Sequence, residues 1–115
     1  VQALAFSKDS RQLATAGIAV VTVWPMTGKK GPDGATPIQI DGCESPAQAL
    51  DFSSAGLLAI GDGAGTLLVI TFEKGQFRRK RSKLEIGIST LAWHPSLPLL
   101  AIGHEDGRVM LLSLE

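Results

Sequence analysis

The histidine, cysteine and carboxylate side chains that ligate metals or act as general acids and bases are few in this sequence: two histidines, one cysteine and 11 carboxylates. His94 and His104 flank one predicted strand, the first just before it and the second just after, so they sit at opposite ends and cannot share a metal ion. Cys43 lies in a different repeat of the chain, out of the hydrogen-bond reach that a Cys/His nucleophile needs. Asp41, Glu44, Asp62, Glu105 and Asp106 fall on predicted turns. Carboxylates act as general acid and base where burial splits their pKa values, whereas turn carboxylates are solvated and shape the turn. The glycine-rich GDGAG at 61–65 has the composition of a phosphate-cradling loop. Such loops open a helix whose N-terminus holds the anion, and here another strand follows, so a hairpin turn is expected. No catalytic, cofactor-binding or metal-binding residue is expected, and no enzyme activity.

Arg78, Arg79, Lys80, Arg81 and Lys83 are five basic residues within six positions, the one charge cluster of the chain. Such a cluster can recognise RNA, a phosphorylated segment or lipid headgroups. It can also guard an edge strand against unwanted pairing. Phe77 is the only aromatic residue beside it, and stacking on bases needs more than one platform, so the guarded edge is the preferred reading and nucleic acid is not an expected partner.

The elements that must carry these residues follow from composition and periodicity. The 115 residues carry 11 basic and 11 acidic side chains, which leaves no overall attraction to nucleic acid or membrane. With 44% hydrophobic and 19% charged residues the chain is too apolar for intrinsic disorder, and no apolar run approaches membrane-spanning length. A single cysteine rules out an internal disulfide framework and suits a reducing, cytoplasmic setting. The chain opens at Val1 with no methionine or secretion leader, which reads as a piece of something longer.

A repeat organises the rest. VQALAFSKDSRQLATAG (1–17) returns as AQALDFSSAGLLAIG (47–61) and as ISTLAWHPSLPLLAIG (88–103). Phe6, Phe52 and Trp93 are separated by 46 and 41 residues, about the length of one four-stranded propeller blade. The copies run approximately 1–40, 41–83 and 84–115, the last without its fourth strand. Each alternates at period two, and no helix is expected. First strands place Leu4/Phe6, Leu50/Phe52 and Leu91/Trp93 at one parity and Ala3/Ala5, Ala49/Asp51 and Thr90/Ala92 at the other. Sheets with one bulky and one small face suit stacking on like sheets. Second strands are expected at 12–16, 57–60 and 99–102, third strands at 20–24, 66–72 and 108–113, and fourth strands at 36–40 and 76–80. The glycines of 61–65 and Asp106-Gly107 suit tight hairpins, and the long Gly/Pro/Lys-rich loop 26–37 is a candidate contact with a neighbour.

These copies resemble the WD-repeat family of β-propellers over almost the whole chain. LAFSKDSRQLATAG followed by VTVW matches the family's first three strands, with Trp24 at the tryptophan position and Pro25 where an aspartate usually follows. LAWHPSLPLLAIGHEDGRVMLL keeps the spacing, with Leu112 at the tryptophan position. Gly42-Cys43 stands where the family has Gly-His, and Gly87 lacks the histidine, so the family's Asp/His/Ser/Trp tetrad is incomplete in every copy. VTVWPMTGKKGP is also similar to bacterial members. The resemblance implies an all-β fold of four-stranded antiparallel propeller blades. A ring closes with roughly 4–8 blades, so this chain is a partial ring, completed by the remaining blades of a longer chain or by copies of itself. It further implies a non-catalytic scaffold that binds other proteins or peptides through rim loops at 41–46, 62–65 and 104–106, the alternative being an enzyme-type propeller or one that binds an anion or nucleic acid through 78–83. The partner-binding candidates are His104, Glu105, Asp106, Asp62 and Glu44, and the anion-binding candidates are the five basic residues of 78–83.

Overall fold

In the computed structural model, which describes residues 3–17, 20–25, 37–73 and 76–114, eleven strands form three antiparallel sheets. The first sheet is β1 (Ala3–Phe6), β2 (Gln12–Ala16), β3 (Val21–Pro25) and β4 (Ile38–Ile40), paired in chain order. The second is β5 (Ala47–Phe52), β6 (Leu58–Asp62), β7 (Thr66–Glu73) and β8 (Gln76–Lys83). The third holds β9 (Ile88–Trp93), β10 (Leu99–His104) and β11 (Val109–Ser113). Most of loop 26–37 and the Lys74-Gly75 turn lie outside the described residues.

The face alternation read from the sequence decides how the sheets stack. Leu50, Phe52, Leu58, Ile60, Leu68 and Ile70 pack on the small face of the first sheet, against Ala14, Ala16, Val21 and Val23. Ile88, Leu91, Trp93, Leu100 and Ile102 repeat the arrangement on Ala49, Ala59 and Leu67 of the second sheet. Each bulky face therefore seats on the small face of the sheet before it, which lets side chains interdigitate at interior density. The same rule leaves two faces open. Leu4 and Phe6, at the positions of the buried Leu50 and Phe52, are 63% and 58% exposed because their face points away from the second sheet. On the third sheet the open face carries Val109 and Leu111.

The hairpins from first to second strand are closed by the residue after the aromatic. The Ser7 hydroxyl accepts the Gln12 N–H, the Ser53 hydroxyl accepts the Leu57 N–H, and His94 Nδ1 accepts the N–H groups of Ser96 and Leu97. His94 is thus a turn residue whose proton sits on Nε2. At the same end of the blades Asp51 ties the sheets together. Its carboxylate accepts the Trp93 N–H at 2.8 Å, its carbonyl accepts the Trp93 indole N–H at 2.9 Å, and Lys8 lies 3.7 Å away.

Candidate functional site

The opposite rim carries the connections from fourth to first and from second to third strands. Its geometry is organised by Asp62, the last residue of β6, which is fully buried. One carboxylate oxygen accepts the N–H groups of Ala64 at 3.0 Å and Thr66 at 2.8 Å, closing the 62–66 hairpin. The other accepts Glu44 N–H at 2.9 Å and Ser45 N–H at 3.2 Å, fastening the loop that enters β5. Burial works against its charge, but the four backbone donors outweigh burial and hold the carboxyl below the usual range. Nearby, burial pushes the Cys43 thiol up to about 11, with the Asp62 charge adding to the effect, so Cys43 is a protonated filler and no nucleophile.

His104 ends β10 at the position Asp62 occupies in β6. It too is buried, and Nδ1 lies 3.1 Å from the Ile86 carbonyl and 3.3 Å from that of Gly87. Facing two carbonyl oxygens, Nδ1 carries the proton and donates. Both residues pin the incoming loop, Asp62 by accepting and His104 by donating.

The remaining sequence candidates meet one another across the two sheets. Arg79, Arg81 and Lys83 share one face of β8, opposite Ile70, Leu68 and Thr66 of β7. Arg79 reaches the Asp41 carboxylate at 2.6 Å and also its carbonyl. Arg81 and Lys83 grip the two oxygens of Glu44 at 2.8 and 2.6 Å. Lys83, by hydrogen bond and then by charge, holds the Glu44 carboxyl below its ordinary range, with Arg81 adding to it. Arg78 and Lys80 lie on the other face of the strand, opposite Thr71 and Val69. Asp106 closes its own hairpin, accepting the Arg108 N–H and pairing with its guanidinium at 3.1 Å.

Glu105 differs from the other rim candidates. It is exposed, its N–H is anchored on the Gly87 carbonyl at 3.0 Å, and its carboxylate has no ion-pair partner among the described residues. It borders an open recess of about 420 Å³ with Ser45, Pro46, Gln48, Gly63 and Ala64. Gln48 was not among the sequence candidates. Ala47 pairs with Asp62 and Ala49 with Gly61, so Gln48 is the extra residue of a β-bulge, a device that turns a side chain out of the ladder. A polar residue at the parity of Leu50 and Phe52 was the available signal, and Ser89 repeats it in β9. Among the described residues no three His, Cys, Asp or Glu side chains gather in a metal-binding arrangement.

No protein-family model matches this chain, and no curated protein matches it. Among solved structures it is similar to Chaetomium thermophilum Sqt1 bound to the N-terminus of the ribosomal protein L10, with 22% identity and a TM-score of 0.81. That match covers 97% of this chain and 32% of the other. A chain of the mitotic checkpoint complex is similar at 20% identity and TM-score 0.81, over 100% of this chain and 36% of that one. The chain thus spans about a third of the length of either neighbour. The fold is that of β-propeller blades, with open sheets that make a partial ring.

Proposed function

We propose that this chain is part of a WD-repeat propeller that serves as a protein-interaction scaffold, holding a peptide segment of another protein at the rim recess and performing no chemistry of its own. The repeat units of that propeller are residues 1–40, 41–83 and 84–115. The observation that carries the reading is the recess bounded by Glu105 and Gln48, where an exposed carboxylate and a carboxamide stand on backbone fixed by Asp62 and His104. A fixed scaffold with a few adaptable polar groups favours peptide recognition, because little ordering entropy is lost on binding. Sqt1, with the same blade fold, is bound to a protein N-terminus, and an N-terminal amine or a basic side chain is the complement Glu105 would accept. Asp62, His104, Glu44 and Asp106 then act as the frame of this rim and Glu105 as its contact residue. On the basic strand, Arg79, Arg81 and Lys83 already face carboxylates, which supports the guarded-edge reading over anion binding. The lone, protonated Cys43 thiol suits a cytoplasmic setting.

Affinity capture with the wild-type protein and with Glu105→Lys and Gln48→Ala variants tests the assignment. Partners retained by the wild type should be lost by Glu105→Lys while its far-UV spectrum and melting temperature stay unchanged. An identical set of captured proteins for all three would remove the recess from consideration.

A further inference from the structure

We propose that the rim recess selects a primary ammonium group, the N-terminal amine or a lysine side chain of the partner segment, and that Gly63 is its specificity-determining residue, leaving room for Gln48 and Glu105 to converge on one point. The inference rests on the scaffold reading above and names what that recess accepts. Three stretches of backbone meet beneath it. The Glu105 N–H bonds the Gly87 carbonyl at 3.0 Å, and Gly87 is pressed against the Gly63 carbonyl, which a Cβ on Gly87 would strike. Neither Gly63 nor Gly87 has a positive φ, so glycine at both serves close approach and not an unusual backbone conformation.

What approaches Gly63 differs in kind. A Cβ there would lie 2.7 Å from Gln48 Nε2 and 3.2 Å from Glu105 Oε1. The two side chains start from different sheets, Gln48 from the bulge of β5 and Glu105 from the turn after β10, and reach the same point above the Gly63 backbone. Among the described residues neither head has a hydrogen-bond partner. Glu105 supplies a carboxylate, and the Gln48 carboxamide presents its oxygen after a half-turn of its terminal torsion. An ammonium carries three donors on one atom and reaches both oxygens from a single position. A guanidinium spreads its donors over a rigid planar fork, which suits the two oxygens of one carboxylate instead. Arg81 and Lys83 are engaged by Glu44, so neither competes for Glu105.

The test is an amide-resolved NMR titration of the protein with Nα-acetyl-lysine amide, triglycine amide with a free N-terminus, Nα-acetyl-arginine amide and Nα-acetyl-glycine amide. Saturable shifts of the Gln48 carboxamide and of the Gly63 and Glu105 amides are expected with lysine or triglycine, and the tighter of the two identifies the source of the ammonium. Arginine should bind about tenfold more weakly, the scale of one charge-assisted hydrogen bond, and acetyl-glycine should not bind. Gly63→Ala places a methyl group against the movable ends of two side chains only, so it should keep the melting temperature and weaken the better probe about tenfold. Gln48→Leu, which keeps the bulk and removes the acceptor, should act in the same direction with the fold intact. Arginine binding as tightly as the ammonium probes, indifference to both substitutions, or no saturable shift at these residues would overturn the proposal. The scaffold reading falls separately: if Glu105→Lys strips the captured partners while Gly63→Ala retains them, the recess still binds partners, by other chemistry than this.

Discussion

The corners at Asp62 and His104 occupy the same place in consecutive sheets and solve the same problem with opposite chemistry. Asp62 gathers four backbone N–H groups from two segments, whereas His104 donates one proton to a pair of carbonyls. The first corner is further clasped by Lys83, which reaches the Ala64 carbonyl and Glu44, and the second has an open groove at that place. In these two sheets a buried polar side chain ends the second strand and its polarity follows the way the loop turns its peptide groups, whereas Gly17 stands at the same place in the first sheet.

The comparison is broken most severely at Asp62. Asp62→Ala leaves four donors without a partner inside the rim, and at roughly 1–3 kcal/mol for an unsatisfied buried group the total loss should exceed about 3 kcal/mol in urea denaturation. His104→Ala removes one shared donor and should cost only about 1–2 kcal/mol by the same measurement. A result in which the two are equal would show that the corners do not differ as described. Alanine at the hairpin glycines Gly65 and Gly107 sharpens the contrast: both have positive φ, near 90°, which costs an alanine about 1 kcal/mol, but Gly65→Ala adds a collision with the Leu84 carbonyl and should be clearly the worse of the two. Acid separates the corners as well. The Asp62 carboxyl is lowered from 3.8 and that of Glu44 from 4.5, so each contributes stability that is complete above those values and is lost as pH falls through the lower folded values. Asp62→Asn should flatten the decline of stability below about pH 4. The smallest effect belongs to Glu44→Gln, whose exposed pairs with Arg81 and Lys83 are screened. Its melting temperature should fall slightly at low salt and coincide with the wild type at high salt.

Local pattern carried most of the architecture. The strand expected at 12–16 is β2, and β7 begins at Thr66 as the turn glycines before it require. β3 starts one residue later than expected and takes in Pro25, tolerated at a strand end. β8 was expected to stop at residue 80 and continues to Lys83, because Arg81 and Lys83 find Glu44 across the sheet boundary. No local signal announces that meeting: the partners are 37 and 39 positions apart, and charge alone reads equally well as a solvated edge. The recess was half legible. Glu105 was visible as a turn carboxylate, but Gln48 reaches the rim through a bulge, and a bulge shifts which face a residue takes without changing the composition of its strand.

The seating of each bulky face on the small face before it has a consequence for how such a chain could have arisen. Every unit carries one half of the contact it makes forward and the complementary half of the contact it makes backward. A tandem duplication of one whole unit therefore inserts a new blade whose two interfaces are already matched, and no compensating change is required in either neighbour. Lengthening by whole units is thereby built into the alternation of Leu50 and Phe52 with Ala49 and Asp51.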